Sequence, residues 1–265
     1  MKQILKSNID PNWPLIEIDY KKPIELFIDS LKNLDKNKDS YKVLYVQDVN
    51  AINKFTQKAI DNKDCFDLIL TYDEEILEKC DNARLMLFGT AWVHDYKFVN
   101  DKKFQISHLT GHKEITAGHM LRKKIHYKQN KINNDIDFYI SKFGGVENIN
   151  KNKILEEKKE PLFDSQFHIC IENVRQNNWF TEKLIDCFVT KTIPIYYGAQ
   201  NIGEFFDLKG IYIVNDYKEI IEVCNSLNEN SYQEMKEYIE YNYIESLKYV
   251  DKVKNLKNRL IEHLY

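Results

Sequence analysis

The chain has 265 residues, 43% of them apolar, and a formal net charge of −3, enough to build one large α/β domain or two small ones around a real core. Acidic and basic residues are interspersed, so composition offers no basic face for nucleic acid, and runs such as Arg122-Lys123-Lys124 read as solvated. No segment has the length of a membrane span or the shape of a signal peptide.

In chain order, Met1 to Asn12 lacks periodicity and reads as an extended arm. Ile24, Leu26, Phe27, Leu31 and Leu34 follow with partial helical spacing. Lys42 to Gln47 predicts a strand that breaks at Asp48-Val49-Asn50. Ile52 to Ile60 predicts a helix, Phe66 to Leu70 a buried strand, Thr71 to Cys80 a helix, and Leu85 to Phe88 another strand. Such alternation is the mark of a doubly wound sheet. Between Trp92 and Lys103 periodicity gives way to charge, which places an interdomain crossing there.

The second unit opens on a strand from Phe104 to Leu109, then a polar loop with Gly111 and Gly118, then a helix carrying His119 and Arg122. Asp135 to Ile140 predicts a strand, and Val146 to Pro161 reads as a charged insertion without a packing signal. Ile211 to Val214 and Tyr217 to Leu227 predict a strand and a helix. Tyr232 to Tyr265 reads as strongly helical, with Leu247, Val250, Val253, Leu256, Leu260 and Leu264 as an apolar stripe. The domain expectation is therefore 1–98, then 99–245, with a final helix at 246–265 crossing back to the first domain. The five scattered cysteines lack a Cys-x-x-Cys pair and read as reduced thiols.

The stretch from Phe167 to Gly198 carries the densest signal. An apolar strand stops at Glu172-Asn173. A polar loop runs to Thr181, a favoured N-cap residue, and Leu184, Ile185, Phe188 and Val189 recur behind it at helical spacing. Glu182 and Lys183 then fall in the first helical turn. A helix N-terminus beyond the carboxyl end of a strand suits a phosphate group, and Lys183 adds a full charge there.

This run resembles the alpha-1,3/1,4-fucosyltransferases, glycosyltransferase family ten, whose C-terminal domain carries F-x-x-x-x-E-N, a spacer, T-E-K, a helix and P-[VI]-x-x-G. Here these are Phe167, Glu172-Asn173, Thr181-Glu182-Lys183 and Pro194 to Gly198. The resemblance implies the GT-B arrangement, two Rossmann-like domains facing across a cleft. It also implies a metal-independent, inverting transfer of fucose from GDP-fucose to a glycan hydroxyl, with no cofactor beyond that donor. Lys183 and Arg122 match the family's lysine and arginine that face the diphosphate. Glu182 matches the glutamate that accepts from the nucleotide-sugar hydroxyls. Glu172 and Asn173 either contact the donor or hold the loop. Asp48 stands where the family has a glutamate base at a strand end, and it either serves as that base or caps the following helix.

Alternative readings keep the fold with another nucleotide sugar, or describe a non-catalytic glycan- or nucleotide-binding relative. Asp135-Ile136-Asp137 has the D-x-D spacing of metal-dependent transferases, yet it opens a predicted strand, and no metal site is expected. His108, His112, His119 and His168 show no ligand spacing and are expected in ordinary polar or core roles. Animal members of the family are Golgi proteins with an anchor, which is not evident here; nor is there an Asn-x-Ser/Thr acceptor, so a cytoplasmic enzyme of bacterial or viral origin is expected.

Overall fold

The computed structural model describes residues 2–5, 15–93, 102–150 and 152–265. It divides into two compact units, one made of Met1–Phe88, Asn177–Trp179 and Asp251–Tyr265, the other of Gly89–Gln176 and Phe180–Val250. The first boundary falls ten residues ahead of the expected 98/99 and the last at Val250/Asp251 rather than 245/246. Most of the expected crossing segment, and residues 1 and 6–12 of the expected arm, lie outside the described residues.

In the first unit an antiparallel pair, β1 (Lys2–Leu5) and β2 (Ile16–Asp19), precedes β3 (Ile24–Ile28) and β4 (Tyr41–Val46). Two short helices follow, α1 (Asn50–Asn53) and α2 (Thr56–Asp61), then β5 (Leu68–Thr71), α3 (Glu74–Lys79) and β6 (Ala83–Leu85). The sheet order is β3-β4-β5-β6, with every pair parallel. Alternate side chains along a strand face opposite sides. Val43 and Tyr45 therefore join one core layer, while Leu44 and Val46 join another with Phe55, Ala59 and Ile76. Both faces are covered, so β3 shows no polar alternation. Its apolar run mimics helical spacing, and the partial helical spacing noted from Ile24 onward begins with a strand over Ile24–Ile28.

The second unit holds a six-stranded sheet. Its elements in chain order are β7 (Lys103–Thr110), α4 (Ala117–Tyr127), β8 (Ile136–Ser141), β9 (Lys153–Leu155), β10 (Ser165–Ile171), α5 (Glu182–Val189), β11 (Ile193–Tyr197), β12 (Tyr212–Ile213), α6 (Tyr217–Ser226), α7 (Ser231–Glu234) and α8 (Lys236–Ser246). The order is β12-β11-β10-β7-β8-β9, with all neighbours parallel. From β7 the chain steps outward to β8 and β9, then returns to β10 on the other side of β7 and steps outward again. The reversal lies between β7 and β10, and a crevice opens at the carboxyl ends of strands at such a switch point.

Two expectations are corrected here. The stretch 146–161 is no loose insertion: β9 extends the sheet, Leu155 is buried, and a 3-10 turn at Glu160–Phe163 seats Leu162 and Phe163 in the core. The tail is not one helix. Leu247 is half exposed, and the chain restarts at Asp251, whose carboxylate accepts from the Val253 and Lys254 N–H groups to cap α9 (Lys252–Leu264). α9 belongs to the first unit, where Leu256, Leu260 and Leu264 pack on the face that carries Val43 and Tyr45.

Candidate active site

A cavity of about 630 Å³ opens in the second unit at the carboxyl ends of β7, β8, β9 and β10. Arg122, Asn173, Glu182 and Lys183 line it, with His119, Lys159, Asp186 and Trp92. Glu172 and Thr181 are buried and are not part of its lining.

The geometry builds upward from the end of β10. Glu172 is fully buried, and its carboxylate accepts from the Thr181 N–H (2.7 Å) and the Thr181 hydroxyl (2.8 and 3.0 Å). Thr181 Oγ1 in turn accepts from the Lys183 N–H at 3.3 Å, the N-cap bond that the spacing predicts, and from Lys183 Nζ at 3.1 Å. Lys183 Nζ also lies 3.1 Å from Glu182 Oε1 and 3.5 Å from Glu172 Oε2. Burial works against the ammonium, but the two carboxylates outweigh it and hold its pKa above the ordinary lysine value. Glu172 therefore anchors the first turn of α5, and the glutamate that reaches the cavity is Glu182.

α4 approaches the end of β10 closely enough for the Gly118 N–H to bond the Asn173 carbonyl at 3.0 Å. One turn on, Arg122 donates to the Ile171 carbonyl and, at 2.8 Å, to Asn173 Oδ1. Two of its five donors are thus committed to the strand end, and Arg122 is among the residues that line the cavity. Gly198, directly after β11 at the end of the Pro194 to Gly198 motif, is required by packing: a Cβ there would sit 2.2 Å from the Tyr196 hydroxyl, which accepts from the Ala199 N–H.

Sequence reasoning passed over three of the residues here. Lys159 Nζ lies 3.5 Å from the Trp92 ring centroid and 3.9 Å from Glu182 Oε1, a third cation in the cavity lining. Its only sequence signal is a charged run, which reads as solvent-facing. Asp186, one turn beyond Glu182, is buried; its Oδ1 accepts from the Trp92 and Val93 N–H groups at 2.7 and 3.2 Å. A lone aspartate among Leu184, Ile185, Phe188 and Val189 was a signal that could have been read. His119, expected only in an ordinary polar or core role, is the third.

Asp48 belongs to the first unit. It sits just past β4, with its carboxylate accepting from the Val49 N–H and its backbone pinned by Asp29, Asn53 and Tyr72. Asp29, at a positive φ of 47° after β3, accepts from the Gln47 and Asp48 N–H groups and from Asn53, and burial raises its pKa to about 7. Asp135 and Asp137 stand at the amino end of β8, the edge away from the cavity. Gln105 bonds Asp135, and Lys153 pairs with Asp137. No cluster of His, Cys, Asp or Glu suited to a metal occurs among the described residues.

A family model described as Glycosyltransferase family 10 (fucosyltransferase) C-term matches residues 100–261, more than half of the chain. The chain belongs to glycosyltransferase family 10. It is 31% identical over 86 residues to the alpha-(1,3)-fucosyltransferase FucT of Helicobacter pylori, a match covering 31% of this family 10 chain and 18% of that protein. Among solved structures it is similar to an alpha1,3-fucosyltransferase with GDP, at TM-score 0.55 and 16% identity over 96% of this chain and 79% of the other. Anabaena Alr3699/HepE in complex with UDP-glucose is similar at TM-score 0.60 and 11% identity, over 85% of this chain and 72% of the other. These likenesses give the fold as GT-B, consistent with two units each built on a parallel sheet. Among the described residues of this family 10 chain, no helix is long and apolar enough to cross a membrane.

The environment of Asp186 makes a stability prediction. Burial raises its pKa to about 7, with the Trp92 and Val93 N–H groups and Lys159 opposing that rise. The folded state then takes up a proton between about pH 4 and 7 that the unfolded chain does not hold, so its contribution is intact below that window and declines as pH rises through it. Asp186→Asn keeps an oxygen for both main-chain donors. It is expected to flatten the fall of Tm with pH and to gain roughly 1–2 kcal/mol at pH 8, leaving the share due to Asp29. A thermal melt series from pH 4 to 8 checks this, and an unchanged slope counts against it.

Proposed function

We propose that the chain transfers fucose from GDP-fucose to a hydroxyl of a glycan acceptor, with inversion at the anomeric carbon and without a metal. The observation that carries this reading is the placement of Lys183, Arg122 and Lys159 around one cavity at the switch point of a parallel sheet, with the α5 N-terminus beneath Lys183. Loss of GDP from the donor develops negative charge on the diphosphate. Fixed cations and a helix terminus stabilise that charge as it grows, the task a divalent ion performs elsewhere. Family membership supports a glycosyl donor, and GDP is what one similar structure holds.

In the proposed step the acceptor oxygen forms a bond to the anomeric carbon as the bond from that carbon to the phosphate oxygen breaks. GDP leaves with the electron pair, and the acceptor proton passes to Asp48 of the first unit. Glu182, held by Lys183, accepts from donor hydroxyls. The second reading, the same fold with a different nucleotide sugar, is favoured by the likeness to the structure holding UDP-glucose.

Mass spectrometry of a glycan panel incubated with the chain and GDP-fucose, GDP-mannose or UDP-glucose tests both. A gain of one deoxyhexose with GDP-fucose alone, unaffected by chelator, is expected; a gain only with UDP-glucose replaces the donor, and no transfer or donor hydrolysis at all overturns the enzyme. Asp48→Asn is expected to leave GDP binding intact and to lower transfer by roughly 10²–10⁴-fold. Near-normal turnover in that variant moves the base elsewhere.

A further inference from the structure

His119 holds the third position of α4, where a capping box usually places Glu or Gln. Its Nδ1 receives the Thr116 backbone N–H at 3.3 Å and lies 2.7 Å from the Thr116 hydroxyl, while the His119 N–H donates to that hydroxyl at 3.4 Å. A main-chain N–H can only donate, so Nδ1 must accept, and the ring proton resides on Nε2. The residue is 8% exposed and lines the cavity. With Nδ1 turned back to Thr116, the Nε2 edge is the one presented to that space.

The first turn of α4 has little else to offer a ligand. Its Gly118 N–H is taken by the Asn173 carbonyl and its His119 N–H by Thr116. Arg122 follows three residues later, so both side chains lie on the same helix face. Cations surround the ring: burial lowers its pKa to about 4, and Arg122, Lys113 and Lys183 reinforce that. The imidazole is thus neutral at working pH, and its Nε2–H survives only as a donor.

We propose that His119 is a catalytic residue of the transfer, its Nε2–H donating to an anionic phosphoryl oxygen of the departing nucleotide diphosphate, with Thr116 fixing the tautomer. This rests on the reading of the cavity as a nucleotide-diphosphate site. A neutral donor adds a directed hydrogen bond to developing charge without repelling Arg122 or Lys183, which a further cation would do.

The test is calorimetric titration of the full chain and two variants with GDP, UDP and inorganic pyrophosphate, each variant checked for its unfolding midpoint. His119→Asn keeps an acceptor for the Thr116 N–H but cannot place a donor where Nε2 stands. His119→Gln reaches that point with its amide. His119→Asn is expected to weaken pyrophosphate and GDP binding roughly 10-fold or more, with His119→Gln within about threefold of the parent. Parent-like binding by His119→Asn overturns the proposal, as does equal weakening in both variants. If the parent binds UDP and not GDP, the donor reading fails while pyrophosphate still tests His119. If the parent binds none of the three, both fail.

Discussion

Replacing Lys183 with methionine should cost roughly 3–5 kcal/mol of stability and more than about 100-fold in transfer. The first effect comes from what the ammonium leaves behind. Glu172 is fully buried and Glu182 nearly so, and Lys183 lies within 3.5 Å of both carboxylates. A buried ion pair contributes little net stability, but removing one partner strands the other. Burial already raises the pKa of Glu172, with Lys183 the main opposing influence. Without the lysine that pKa climbs further, so the stability defect should be worst at high pH and shrink as pH falls and the proton is supplied. Urea unfolding at pH 5 and pH 8 measures it. Adding Glu172→Gln to Lys183→Met should restore much of the stability and none of the transfer; recovery of both would show that Lys183 serves only to balance charge.

Gly118→Ala should be comparably damaging through sterics alone. A Cβ at Gly118 would lie 1.8 Å from the Glu172 carbonyl oxygen and 2.8 Å from that of Asn173. Both obstacles are backbone at the end of a central strand, so neither can rotate away. α4 would have to retreat from β10, breaking the Gly118–Asn173 bond and carrying Arg122 and His119 with it. A loss of roughly 3 kcal/mol or more together with loss of GDP binding is expected in urea melts and calorimetry. A variant with parental stability would show that α4 has slack that the packing does not suggest.

The legible parts share a cause. Thr181 could be read as a cap, and Glu182 and Lys183 as first-turn residues, because capping and helical periodicity act over a few neighbouring residues. β4, β5 and β10 were legible because strands buried on both faces are written as apolar runs. The same property hid β3, whose run fits either period. Lys159 was invisible for a different reason: its role depends on β9 joining a sheet edge, and a three-residue strand in charged surroundings carries almost no local signal.

From the sequence alone came the family resemblance, the alternation of strand and helix, and the residue types able to meet a diphosphate. Those follow from local chemistry and from residues adjacent in the chain. Only the folded chain decided that Glu172 is an internal anchor while Glu182 faces the cavity, that Arg122 is tied to the end of β10, and that Lys159 and His119 belong with them. The contacts Arg122–Asn173 and Lys159–Glu182 join residues tens of positions apart, and the strand order that brings such residues together is settled by packing the whole sheet.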